Sequence, residues 1–182
     1  MSKIGVFMAD GCEEIEGLTV VDIARRAGIE VDMIAIGDSL TVTGSHGIAF
    51  QADLGKKDAD FASYDGIVLP GGLRGTQNLG ADETVCKVIK EMNEAGKLVS
   101  AICAAPSVLG MNHILEGKRA TSYPGFEDKL LGAFCLEDAV VRDGNVITSR
   151  GMGTAIPFGL AIVAYFKGND AAEELSKSII FS

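Results

Sequence analysis

Leu98-Val99-Ser100-Ala101-Ile102-Cys103-Ala104-Ala105-Pro106 is the stretch whose reading decides the fold. Five small or apolar residues run into a cysteine, and Ala-Ala-Pro leads into a helical pattern at Val108, Leu109 and Met111. A strand that ends in a nucleophile-type residue and turns at once into a helix is a nucleophile elbow. The turn lifts the side chain out of the sheet, and the helix behind it presents free N–H groups and the positive end of its dipole. A thiolate is favoured in that position. The same residues also suit a buried cysteine closing a core strand, the ordinary fate of a free thiol. The stretch alone leaves both readings open.

Outward from the elbow, apolar strands alternate with helical patterns. Lys3–Met8 and Gly66–Leu69 read as strands, as do residues 30–36. Residues 14–27 read as a helix stopped by Gly28, and residues 82–95 as a helix capped by Asp82 and closed by Gly96. The elbow helix is expected over 105–115. Residues 40–43 and 48–51 pair around Gly44-Ser45-His46-Gly47, and Asp143-Gly144 is a hairpin signal between 140–142 and 145–149. Residues 56–64 and 70–75 read as loops, the first with a short helical turn. Residues 119–123 read as a short strand and 126–131 as a helical turn. Thr154 is expected to cap a helix to about residue 166, with a terminal helix over 170–178.

Continuously apolar strands are strands buried on both faces, so the expected fold is α/β, with a mostly parallel sheet between helical layers. The 182 residues suit a single domain over 1–182. A net charge of −9 disfavours nucleic acid and anionic membranes. No apolar run has the length of a membrane span. The N-terminus meets Ala9-Asp10-Gly11 too early for a signal segment, so a cytoplasmic location is expected. Cys12, Cys86, Cys103 and Cys135 form no C-x-x-C pair and no zinc spacing, and the two histidines, His46 and His113, lie far from them in sequence. Four thiols and no metal or cofactor are expected.

Sites in such sheets form at the carboxyl ends of strands. Three ends carry chemistry here: 10–16, 70–75 and 103–106. Cys103 is the candidate nucleophile, and the amides of Ala104 and Ala105 are candidate oxyanion donors. The Gly71-Gly72 turn reads either as a further pair of close-approaching donors or as an ordinary turn. One oxyanion donor is worth about 3 kcal/mol in the transition state. Glu14 and Glu16 fall in the first turn of a helix, where most carboxylates are solvated dipole partners. Glu16 is the one placed to point inward. Two full negative charges ~4 Å apart at an effective dielectric of 20 repel by about 4 kcal/mol. A Cys103–Glu16 pair is therefore expected to share one proton near neutral pH. Arg150 reads as an anion binder or a surface cation. His113 reads as structural or surface, His46 sits at a hairpin tip, and Cys12, Cys86 and Cys135 read as inert.

With these residues in hand, the chain resembles the ThiJ/PfpI superfamily, on the branch of the parkinsonism-associated deglycase and its YajL-like bacterial members. The resemblance runs from Lys3 to about Phe166. It rests on Gly11-Cys12-Glu13-Glu14-Ile15-Glu16, Arg25-Arg26-Ala27-Gly28, Val68-Leu69-Pro70-Gly71-Gly72, Ala101-Ile102-Cys103-Ala104-Ala105-Pro106 and Thr148-Ser149-Arg150-Gly151-Met152-Gly153-Thr154, in that order. It implies a flavodoxin-like three-layer sandwich and a homodimer. It implies that Cys103 is the oxidation-prone nucleophile, that Glu16 is the protonated carboxyl touching it, and that Gly72 and Ala104 supply backbone donors. Gly71, Tyr123 and Arg150 become expected substrate contacts, and His46 and Arg26 are candidates to reach across a dimer. The activities implied are cofactor-independent glyoxalase and deglycase chemistry on small carbonyl substrates. The alternative is a redox-sensing stress-response or chaperone role through a Cys103 sulfinate. The thiamine synthesis in the family's name has no support in these residues.

Two departures bear on mechanism. Human-type members carry a histidine where this chain has Tyr123, and a phenol with a pKa near 10 is a poor base at pH 7. The protease-like branch carries a histidine directly after the cysteine, where this chain has Ala104. Peptidase and amidotransferase readings lose their base with it. A third outcome, a structural dimer with a vestigial pocket, is expected to show itself as a Cys103 thiol at or above about 8.5, the unperturbed value.

Overall fold

A computed structural model describes residues 1–181 of the protein. In chain order the elements are β1 (Lys3–Met8), α1 (Glu14–Arg26), β2 (Glu30–Ala35), β3 (Thr41–Thr43), β4 (Ala49–Gln51), β5 (Leu54–Gly55), β6 (Gly66–Leu69), α2 (Leu73–Ala81), α3 (Glu83–Glu94), β7 (Leu98–Ile102), α4 (Pro106–Met111), β8 (Arg119–Ala120), β9 (Phe134–Cys135), β10 (Val140–Asp143), β11 (Val146–Ser149), α5 (Ala155–Lys167) and α6 (Asn169–Ser178). Seven strands form one sheet in the order β10-β11-β7-β6-β1-β2-β5. Every neighbouring pair is parallel except β10–β11.

The alternation of side chains across β1 divides the core in two. Ile4, Val6 and Met8 face α1 and α5 with Val20, Ile23, Phe158 and Ile162. Phe7 faces the opposite side, with Ile67, Leu69, Leu79, Ile89, Val108 and Leu109 of β6, α2, α3 and α4. The result is the expected three-layer α/β sandwich. Among the described residues no helix is long and apolar enough to cross a membrane.

The chain leaves β1 towards β2 on one side and returns to β6 on the other. This switch point places the carboxyl ends of β1, β6 and β7 side by side. Those ends are the three segments that carry the candidate chemistry.

Four local expectations are corrected, and two short strands are added to the reading. The glycine-rich segment 70–75 is a loop only through Gly72, and α2 starts at Leu73. Its Gly75 lowers helix propensity, yet a Cβ there would sit 2.6 Å from the Cys12 Cα, so close packing dictates the residue. The elbow helix runs only over Pro106–Met111, and His113 leaves it at φ +61°. His113 is exposed and pairs with Glu116 at 2.7 Å. The strand expected over 119–123 is two residues long, because Tyr123 turns away to donate its amide to the Cys103 carbonyl at 2.8 Å. β5 and β9 are two-residue strands that periodicity does not reveal. Thr154 precedes α5, but its hydroxyl bonds to Gly151 and Ser149 rather than capping the helix.

Candidate active site

Cys103 follows β7 with φ +66°, one of three non-glycine residues with positive φ among the described residues. This is the strained elbow expected from the sequence. Its amide donates to Ser149 at 3.0 Å and its carbonyl accepts from Tyr123 at 2.8 Å. The backbone is thereby pinned from β11 on one side and from the 121–123 segment on the other.

Glu16 enters from the first turn of α1 and is 1% exposed. Its Oε2 accepts the Gly71 amide at 2.8 Å, and its carboxyl lies beside the Cys103 side chain across Gly71. Gly71 lies between the two. A Cβ there would stand 2.5 Å from Cys103 Cβ, 2.6 Å from Glu16 Oε2 and 2.8 Å from the Ile102 carbonyl. Gly72 adopts φ +85° with Gly11, Cys12 and Glu13 backbone under 3 Å from where a Cβ would be. Only glycine fits at either position.

The Gly72 and Ala104 amides lie near enough to the Cys103 thiol to favour its thiolate. The donor origin differs in part from the sequence expectation. The amide of Ala105 is engaged with the Ile102 carbonyl at 3.1 Å, and the first residue of α4 is Pro106, which has no N–H. The elbow helix therefore contributes less than expected. The N-cap amide of α2, at Gly72, takes its place.

Burial pushes the Glu16 carboxyl up to about 7, opposed by hydrogen bonds from Gly71 and Cys103 and aided by the charge of Glu13. Burial also pushes the Cys103 thiol up to about 12, aided by the charge of Glu16 and opposed by the Gly72 and Ala104 amides. A lowered thiol pKa is not found, and the value lies on the side named above for a vestigial pocket. The physical cause qualifies that assignment. Burial is the larger cause, and the added rise from Glu16 requires that carboxyl to be ionised; a protonated Glu16 can donate to sulfur instead of repelling it. The pair holds one proton between about 7 and about 12, and the thiolate is reached when that proton sits on Glu16.

The remaining expected contacts divide. Gly71 spends its N–H on Glu16, so it positions the carboxyl rather than meeting a substrate. Tyr123 is half exposed, with its ring against Gly151. Arg150 donates to the Glu137 carbonyl at 3.1 Å, which ties it to a loop outside the Cys103–Glu16 pair. Arg26 pairs with Asp22 at 2.6 Å on the exposed face of α1. Cys12 is fully buried and burial pushes its thiol up to about 12, Cys86 is half-buried and Cys135 is exposed. His46 lies 3.3 Å from Glu14 and 3.5 Å from Glu13.

Glu14 is the buried charge that sequence reasoning missed. It is 2% exposed. Burial raises its pKa, but hydrogen bonds from its own amide, His46 and Ile48 outweigh this and hold it at about 2. Its partners come from the β3–β4 hairpin, which docks on the 10–14 segment through Gly11 to Thr43 and Ser45 to Cys12, both at 2.8 Å. No local pattern in the sequence announces that docking.

Residues 2–165 match the family model described as the DJ-1/PfpI family. The chain is 40% identical over 179 residues to Protein DJ-1 homolog B of Arabidopsis thaliana, covering 98% of this chain and 41% of the relative. It spans less than half the length of the two Arabidopsis relatives it matches. It is 36% identical over 183 residues to Protein dj-1beta of Drosophila melanogaster, covering 99% and 98%. A protein of Pyrococcus abyssi (strain GE5 / Orsay) named as a deglycase is 32% identical over 150 residues, covering 81% and 89%. Among solved structures, oxidized Toxoplasma gondii DJ-1 superposes with a TM-score of 0.96 at 30% identity, covering all of both chains. The sandwich, the elbow at Cys103 and these matches agree, and the chain belongs to the DJ-1/PfpI family.

Proposed function

We propose that the protein is a cofactor-independent glyoxalase or deglycase acting on small 2-oxoaldehydes or early glycation adducts. The observation that carries this reading is the buried Glu16 carboxyl beside the Cys103 side chain, both packed against Gly71, with the Gly72 and Ala104 amides favouring the thiolate. The name of the Pyrococcus relative agrees with it.

In the proposed sequence the Cys103 thiolate attacks the aldehyde carbon of methylglyoxal, and the new alkoxide takes a proton to give a hemithioacetal. Glu16 removes the proton from C1 and returns one to C2. C1 is thereby oxidised and C2 reduced within one molecule, leaving a thioester. Water cleaves it to lactate and regenerates the thiol. The Gly72 and Ala104 amides steady the oxyanion. Tyr123 replaces an imidazole base with a phenol, so Glu16 carries both transfers and turnover is slow. Lactate formation from methylglyoxal without glutathione tests the reading: wild type produces it, and Cys103→Ser and Glu16→Ala do not. Equal rates in all three would remove it.

A second reading is redox sensing, supported by the same donor set and by the oxidized state of the Toxoplasma relative. Two equivalents of peroxide each transfer one oxygen to sulfur, release water and leave a Cys103 sulfinate that Glu16 and the two amides hold. Intact mass after mild peroxide is expected to rise by about 32 Da at Cys103. Oxidation of Cys86 or Cys135 with Cys103 spared would contradict it.

We further propose a cytoplasmic homodimer. Its support is the family and an exposed groove of about 480 Å³ lined by Leu18, Thr19, Asp22, Ile23, Ile156 and Ile179, beside half-exposed Ile15. Light scattering should return twice the 19.0 kDa chain mass. A monomer at micromolar concentration would contradict the proposal.

A further inference from the structure

The docked β3–β4 hairpin brings four oxygen and nitrogen donors together beside α1. Ser45 Oγ lies 3.2 Å from Glu13 Oε2, 3.4 Å from Glu14 Oε2 and 3.0 Å from His46 Nδ1. His46 Nδ1 lies 3.5 Å from Glu13 Oε2 and 3.3 Å from Glu14 Oε2. The two glutamates offer oxygens within 4.8 Å of each other. In a four-coordinate site with bonds of ~2.0 Å, donor–donor edges are about 3.3 Å. Five of the six edges in this group already have that length.

Charge, support and access point the same way. Two carboxylates meet here, one of them buried, and among the described residues neither has a lysine or arginine within ion-pair distance. An imidazole that is 69% exposed is their single ion-pair partner among those residues. The ligand-bearing loop is fixed from behind. Glu14 Oε1 accepts the His46 amide at 2.9 Å and the Ile48 amide at 3.4 Å, and Ser45 is anchored on Cys12. Such outer hydrogen bonds are what hold metal ligands in place. Ser45 also lines a cleft of about 550 Å³ with Asp10, Gly11, Thr43 and Arg74, which gives an entry path.

We propose that Glu13, Glu14 and His46, with Ser45 or a water as the fourth donor, form a site for a first-row divalent cation of the zinc class that does not include Cys103. Carboxylate and imidazole donors in a four-coordinate set suit zinc, and cobalt reports on the same geometry.

The full chain, stripped with chelator, is titrated with cobalt(II) and with zinc(II). One equivalent of cobalt should bind with the visible bands of a four-coordinate nitrogen–oxygen site, and Cys103→Ser should bind it equally. His46→Ala and Glu13→Gln should each weaken binding at least tenfold. Zinc should raise the melting temperature of the wild type but not of His46→Ala, whose exposed side chain makes an intact fold easy to verify by circular dichroism. Binding of less than one equivalent, binding indifferent to His46→Ala, or binding lost in Cys103→Ser would each overturn the proposal.

Discussion

Gly71→Ala is expected to remove lactate formation by at least about a hundredfold and to destabilise the fold by about 1–3 kcal/mol. The added Cβ would occupy space 2.5 Å from Cys103 Cβ and 2.6 Å from Glu16 Oε2, so one of the two must move. Neither moves freely. Cys103 is pinned at its amide and its carbonyl, and Glu16 is buried in the first turn of α1. The third neighbour, the Ile102 carbonyl at 2.8 Å, belongs to a central strand. Gly153→Ala is the control, since nothing lies within 4 Å of a Cβ there. It should change stability by no more than ~0.5 kcal/mol. Urea unfolding and the lactate assay read both effects, and a Gly71→Ala protein of wild-type activity would show that the pair is not held as described.

The second large effect is on stability against pH. The Glu16 carboxyl keeps its proton to about 7 in the fold, whereas an unfolded chain releases it near 4.3. Below the unfolded value both states are protonated and Glu16 contributes no pH dependence. Between the two values the folded state holds a proton that the unfolded state has lost, so stability falls as pH rises, by about 1.4 kcal/mol per unit. Above the folded value the loss is complete, at about 4 kcal/mol over the whole interval. Glu16→Gln cannot ionise and keeps an oxygen for the Gly71 amide. Relative to wild type it should gain stability from pH 5 to pH 8, by about 2–3 kcal/mol at the upper end. Urea midpoints across that range measure it. A constant difference between the two proteins would mean that the carboxyl titrates normally.

These expectations depend on how the three strand ends come together, and much of that was legible in the residues. Continuously apolar Lys3–Met8, Gly66–Leu69 and Leu98–Ile102 read directly as buried parallel strands. A cysteine between such a strand and a helix read as an elbow. Glu16 was legible because it falls in the first turn of the helix behind another strand end. What stayed hidden depended on contacts distant in sequence. The interior placement of Glu14 is made by Ser45, His46 and Ile48, more than thirty residues away. The start of α2 at Leu73 was masked by Gly75, a residue retained for the closeness of the Cys12 backbone. The elbow helix was read as too long because its apolar pattern continues through Ile114 and Leu115, although the chain turns at His113. Proline at 106 was visible, and its missing N–H was the signal that the elbow helix beyond Ala104 adds little to the Cys103 thiolate. Arg150 follows a strand end as expected, but a carbonyl at Glu137 engages it.

The central claim is that Cys103 and Glu16 act as one unit through a shared proton. The most direct measurement is kcat/KM for glutathione-free lactate formation in wild type, Cys103→Ser, Glu16→Gln and the double variant. The account predicts that each single variant loses at least about a hundredfold and that the double variant loses no more than the worse of the two. Losses that multiply in the double variant, or a Glu16→Gln protein at the wild-type rate, would contradict it.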